Sequence, residues 1–339
     1  MKYSQVNILI GSACDMHCPY CLQNSGRSLA DRKADPEEFA DRLTEYLQGE
    51  SPRKIMAWGG EPMLYWEKIR RMHARLKANG IQTPFRSFVI TTNGRSISDD
   101  YVAYANANPD IWTTVSYHGG GFTDDQLDQI YRIHDFSFSE IITHQRTDLW
   151  DLRDFFWQMK DRYGGTPHVC VHWLRANDSC GAECYLTKDD IDTFCRHVET
   201  EVIPMARLGD VWAQWACSQM LFERDRRLDQ PMGPMCVRSD RLSIDMHGNA
   251  YECHHDFSAS NVIGNIFKPK KVIPIHPSGY KAPNRFWDSQ NCRHCPDDIK
   301  GYCRGGCYLS NTHEIDCYFS HKLYSLYKKM ENSLNAAFS

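Results

Sequence analysis

Three cysteines, Cys14, Cys18 and Cys21, stand close together in the run Cys-Asp-Met-His-Cys-Pro-Tyr-Cys. A structural zinc site takes four protein ligands, and so does an ordinary iron–sulfur cluster. Three thiolates leave one coordination position open, and an open position is where a bound metal works on a substrate. A second cysteine group lies near the other end. Cys236 is followed by Gly248 and Cys253, then by Cys292, Cys295, Cys303 and Cys307, with Cys317 beyond. The chain holds fifteen cysteines, an odd number. In a reducing compartment that points to metal ligation before disulfides. A four-sulfur zinc site from Cys292, Cys295, Cys303 and Cys307 is one possibility, but it leaves Cys236, Cys253 and Cys317 unexplained.

The elements that must position these groups alternate over residues 1–206. Strand-like runs are Val6–Ile10, Lys54–Trp58, Phe88–Thr92, Ile111–Ser116, Phe138–Thr143 and His168–Leu174. Helical stretches follow at about 36–47, 65–79, 99–106, 124–133, 149–162 and 187–203. Asp35 suits a helix cap and Pro36 a first turn, with Phe39, Leu43, Tyr46 and Leu47 at helical spacing behind them. Strand–helix alternation with β-branched strands predicts a parallel sheet. Six units predict a partial (β/α)6 barrel, TIM-like but not closed. The active site of such a sheet lies at the carboxyl ends of its strands. The three cysteines, Gly59-Gly60-Glu61-Pro62, Asn93-Gly94 and Tyr117-His118 all fall there. Beyond about residue 207 helical periodicity fades. Residues 207–235 read as a linker and 236–339 as a cysteine-rich domain, with a hairpin over Asp240–Cys253 and a closing helix at about 320–336.

Cys14-x3-Cys18-x2-Cys21 after a first strand, with Gly59 to Pro62 after the second, resembles the radical S-adenosylmethionine (SAM) superfamily. The resemblance implies a 4Fe–4S cluster on the three cysteines, SAM on the open iron, and reductive cleavage to a 5′-deoxyadenosyl radical that abstracts hydrogen. It implies that Gly59, Gly60, Glu61 and Pro62 bind the SAM amino group, that Tyr20 abuts adenine, and that Asn93 and Ser116 meet the methionyl and ribose parts. By itself Asn93-Gly94 is equally an ordinary turn. The C-terminal block resembles the SPASM extension of peptide- and protein-maturing members, with two extra residues before Cys303. That likeness implies two auxiliary 4Fe–4S clusters, one on Cys292, Cys295, Cys303 and Cys317, the other on Cys236, Cys253 and Cys307. Seven thiolates are one short of eight. Either Cys217 reaches in, or one iron stays open.

Acid–base candidates are fewer. In anaerobic sulfatase-maturating enzymes an aspartate after the Cys253 position is the proposed base; here His254 stands there, with Asp256 two residues on. A histidine can take a proton near neutral pH, and a solvated histidine pair fits the same residues. His118 and Arg175 end the fourth and sixth predicted strands, as substrate contacts or as surface residues. Cys170 and Cys195 read as core, and Cys180 and Cys184 as a loop pair.

Composition narrows the class. Hydrophobic residues are 42%, charged residues 24% and the formal net charge is −4, ordinary for a globular protein. The longest basic run, Lys268-Pro269-Lys270-Lys271, is too short for a nucleic-acid surface. No stretch reads as a membrane span or signal peptide, so the expectation is a cytoplasmic enzyme. Its expected partners are a peptide or protein substrate and an electron donor such as flavodoxin or ferredoxin. The first strand begins at once, so leader recognition is expected to need a separate leader-binding protein or another surface. The alternatives are a small-molecule sugar or aminocyclitol dehydrogenase, a formylglycine-forming enzyme of sulfatase-maturase type, and a non-catalytic iron–sulfur or zinc protein.

Overall fold

A computed structural model describes residues 3–21, 35–117, 121–173, 184–228, 241–251, 262–268, 294–296, 299, 303 and 313–338. His118, Arg175, Cys180, Cys236, Cys253, His254, Asp256, Cys292 and Cys307 lie outside these residues. The chain divides into two units. The first holds residues 1–116, 122–137 and 236–281; the second holds 117–121, 138–235 and 282–339.

In the first unit β1 (Gln5–Leu9), β2 (Lys54–Trp58), β3 (Phe88–Thr92) and β4 (Ile111–Tyr117) alternate with α1 (Pro36–Tyr46), α2 (Trp66–Ala78), α3 (Asp99–Ala107) and α4 (Asp124–Tyr131). The four strands pair in parallel, with Ile8 opposite Ala57 and Ile90 opposite Thr113. Alternation sorts the side chains. Ile55, Ala57, Ile111, Thr113 and Val115 are buried, while Met56, Trp58, Trp112, Thr114 and Ser116 are half-buried. The buried set includes Val115, which lies close to Ile130 of α4 around Gly94, and Thr113, which bonds Tyr101 of α3 at 2.6 Å. The sheet thus packs helices on one face and leaves the residues of the other half-buried. Asp35 caps α1 by accepting the Glu37 and Glu38 N–H groups, with Pro36 in the first turn, as the sequence predicts.

The predicted hairpin forms as β7 (Arg241–Asp245) and β8 (Asn249–Tyr251), continued by β9 (Val262–Asn265). Its placement is new: β7 lies parallel to β1, with Leu9 opposite Asp245. Within this unit the strand order is β4-β3-β2-β1-β7-β8-β9. Asp245 closes the hairpin turn, accepting the His247 and Asn249 N–H groups and the Tyr251 hydroxyl at 2.8, 3.0 and 2.7 Å.

From Phe138 on, β5 (Phe136–Ile142) belongs to the second unit and pairs in parallel with β6 (Val169–Trp173). Helix α5 (Trp150–Tyr163) separates them, and α6 (Lys188–His197) continues through a π-turn into α7 (Ile203–Arg207). The six strand–helix units therefore follow one another as predicted. An 18-residue helix, α8 (Val211–Leu228), occupies the segment read as a linker. It lacks one clean apolar stripe because it is buried on several sides. Trp212 stacks on Trp150 at 5.7 Å, and Trp215 donates to the Pro167 carbonyl at 3.0 Å. The closing helix, α9 (His313–Phe338), starts earlier than predicted. It buries Leu323, Leu326, Tyr327 and Met330. Tyr318 and Lys322 bind Asp192 of α6, both at 2.7 Å, and Arg224 of α8 binds Glu331 at 3.0 Å. Among the described residues no helix is long and apolar enough to cross a membrane.

Candidate functional site

Strands β1–β4 and β7 run in the same direction, so the segments after them share one edge of the sheet. The loop after β1 carries Cys14, Cys18 and Cys21, all half-buried. Burial raises the pKa of the Cys18 thiol first, and neighbouring Cys21 and Cys14 raise it further. Burial likewise raises Cys14, against the Met16 N–H that donates to its sulfur at 3.4 Å. Thiols that resist each other's ionisation are a donor set that gains from a shared cation. Among the described residues no three His, Cys, Asp or Glu side chains close on a single-ion site.

The cysteine loop is clamped from three sides. Tyr65 accepts the Ala13 N–H at 2.8 Å, and the Glu61 N–H donates to the Ala13 carbonyl at 2.8 Å. Asn93 Nδ2 donates to Asp15 Oδ1 at 2.6 Å. The glycines permit this contact. At Gly60 φ is +54°, and a Cβ there would lie 2.1 Å from the Ala13 carbonyl oxygen. A Cβ on Gly11 would lie 2.2 Å from the Tyr65 ring. Gly-Gly is needed here because two backbones touch.

Glu61 is 1% exposed, yet its carboxylate is fully engaged. Oε1 accepts the Met63 N–H at 2.9 Å and the Thr92 hydroxyl at 2.5 Å; Oε2 accepts the Asn93 N–H at 2.8 Å. Burial raises its pKa, and these three donors pull it down. One carboxylate thus pins the end of β2 to the end of β3. Pro62 opens the short 3-10 turn Pro62–Tyr65, which Glu61 caps. Asn93 is an Asx-type turn, accepting the Arg95 N–H at 2.9 Å, and also the brace that holds Asp15. Ser116 lies on the half-buried face of β4, and Tyr20 is half-buried in the cysteine loop. Sequence reasoning passed over Asp15, Tyr65 and Thr92. Asp15 could have been suspected from its place between two cysteines; Tyr65 carries no local signal.

In the second unit Cys295, Cys303 and Cys317 are half-buried and free of disulfides. His321, one turn after Cys317 on α9, places Nε2 at 3.4 Å from the Cys295 sulfur. Positions i and i+4 share a helix face, so Cys295 lies on the Cys317 side of α9. Cys217 is 1% exposed inside α8, and burial pushes its thiol up to about 12. Cys195 and Cys184 are buried, whereas Cys170, read as core, is half-buried.

Residues 8–140 match the family model described as the radical SAM superfamily. Comparison with curated proteins finds no match. Among solved structures, the chain is similar to native anSMEcpe with bound AdoMet, at 14% identity and TM-score 0.67 over 99% of both chains. It is similar to the same enzyme with AdoMet and a Cp18Cys peptide, at 14% identity and TM-score 0.65, over 98% of this chain and 99% of that one. It is also similar to Streptococcus suis SuiB bound to precursor peptide SuiA, at 16% identity and TM-score 0.60, over 91% of this chain and 73% of that one. At these identities the likeness shows the fold, an α/β partial barrel.

Proposed function

We propose that the chain is a member of the radical SAM superfamily, whose family model residues 8–140 match, and that it modifies a peptide or protein. The observation that carries the reading is the clamped loop: three half-buried thiols braced against the Gly59-Gly60-Glu61 turn and Asn93. Cys14, Cys18 and Cys21 would hold a 4Fe–4S cluster, and Gly59, Gly60, Pro62, Asn93, Ser116 and Tyr20 would line the SAM site. When bound, cluster and SAM supply an adenosyl radical that takes hydrogen from an unactivated carbon. The chain's own part is positioning. Glu61 fixes Asn93 through its backbone, Asn93 fixes Asp15, and Asp15 sets the loop that carries the ligands. Residues already in place lose no further freedom when the cofactor arrives.

The substrate class rests on two supports. Chains of this fold are known with a Cp18Cys peptide and with precursor peptide SuiA bound. The C-terminal cysteines supply a donor set far larger than one zinc ion needs. In this reading Cys292, Cys295, Cys303 and Cys317 hold one auxiliary cluster, and Cys236, Cys253 and Cys307 hold a second with one iron open. Cys217 then acts in packing, since a dry thiol is a reluctant ligand. His254, Asp256, His118 and Arg175 serve as substrate contacts or proton carriers, and a flavodoxin- or ferredoxin-type donor supplies electrons.

The test is iron, sulfide and zinc per chain on oxygen-free, reconstituted protein, together with SAM cleavage under reductant. About twelve irons and 5′-deoxyadenosine formation support the reading. About four irons with stoichiometric zinc would turn it toward a small-molecule substrate. No SAM cleavage at all would sink it.

A further inference from the structure

We propose that His321 donates a hydrogen bond to the Cys295 sulfur and so holds up the reduction potential of an auxiliary cluster; this rests on the auxiliary-cluster reading above. The contact, 3.4 Å from Nε2 to sulfur, joins residues 26 apart in sequence. The ring stands on a firmly seated helix and not on a loop. Phe319, Ser320 and Leu323 beside it are buried, and Tyr318 and Lys322 both tie to Asp192 of α6. A donor held this way keeps its aim.

The chemistry follows from charge. A thiolate bound to iron gains negative charge when its cluster is reduced by one electron. A fixed N–H pointing at that sulfur stabilises the reduced form more than the oxidised form, which raises the potential. His321 therefore acts through Cys295 as a positioning residue. Cys317, one turn earlier on the same face of α9, puts a second thiol on the same side.

The experiment uses full-length protein in which Cys14, Cys18 and Cys21 are replaced by Ala, so that only auxiliary iron remains. In that background His321, His321→Ala and His321→Gln are compared by iron content and by EPR-monitored reductive titration. The inference expects about eight irons in all three. It expects His321→Ala to lower the reduced-to-oxidised ratio of one cluster about tenfold at a fixed potential, a shift of about 59 mV for one electron. His321→Gln, which keeps an N–H donor of similar reach, should recover most of that shift. An unchanged midpoint in His321→Ala overturns the inference and leaves the auxiliary clusters standing. Loss of about four irons in His321→Ala overturns it too, because His321 would then be a ligand. Iron-free protein in the cysteine-deleted background overturns the auxiliary-cluster reading and the inference with it.

Discussion

Replacing Glu61 by Gln changes almost no volume and asks one question: is the buried carboxyl ionised? In the structure its two oxygens receive three donors, the Met63 and Asn93 N–H groups and the Thr92 hydroxyl. A glutamine must turn one acceptor into an NH2 group. Facing Asn93, it sets two donors head to head; facing Met63, it strands that N–H instead. Either way a buried backbone N–H goes unpaired, at about 1–3 kcal/mol, and the remaining bonds lose their charge assistance. Relief of the desolvation that raises the Glu61 pKa offsets part of this. The net expectation is a loss of about 2–3 kcal/mol. Urea unfolding of iron-free protein at neutral pH, followed by fluorescence and far-UV circular dichroism, should show a lower midpoint with unchanged slope. Glu67→Gln serves as the control, since Glu67 is exposed and, among the described residues, pairs with Arg70; it should stay within about 0.5 kcal/mol of wild type. If Glu61→Gln is also within that margin, the carboxyl enters the fold protonated and the argument from three donors is wrong.

Gly60→Ala should leave the fold assembled and strip the first cluster. The left-handed backbone costs about 1–2 kcal/mol for a side chain, and the Cβ contact at 2.1 Å must displace the Ala13 carbonyl. Iron per chain should fall by about four. Cys217→Ala should leave iron content unchanged and cost about 1 kcal/mol as an ordinary core truncation; loss of iron would make it a ligand. Burial pushes Glu140 up to about 8 against the pull of Arg146, and its Oε2 has no hydrogen-bond partner in the described structure. The folded chain therefore keeps a proton that the unfolded chain sheds near 4.5. Stability should decline as pH rises from about 4.5 to about 8. Glu140→Gln should flatten that decline and be the more stable protein at pH 8, as thermal melts across the range would show.

Much of this was legible in the sequence because its signals are local. Six strands announce themselves by β-branched runs, and Asp35-Pro36 marks a helix start within two residues. The cysteine spacing and the Gly-Gly turn are likewise local. What stayed hidden depends on neighbours far away in sequence. Helix α8 has apolar residues on several sides because more than one partner covers it, which erases the periodicity that helix reading needs. The β7–β8 hairpin could be read from its turn, but not that β7 lies beside β1, since parallel register carries no turn signature. Asp15 and His321 gain their roles only through Asn93 and Cys295, and nothing in their own surroundings names those partners.

The pairing of β7 with β1 also sets a clock. The cysteine loop follows β1, yet that strand's neighbour on one side, residues 241–245, is made more than two hundred residues later. Until then β1 keeps an open edge beside three thiols. Long-range parallel pairing of this kind forms slowly and leaves strand edges exposed while it waits. The chain therefore passes through a stage in which the three thiols exist and their frame does not. Iron delivered during synthesis would meet an unfinished sheet, and oxidants would meet bare sulfur. Loading after release, onto the completed sheet, is the order that this topology favours.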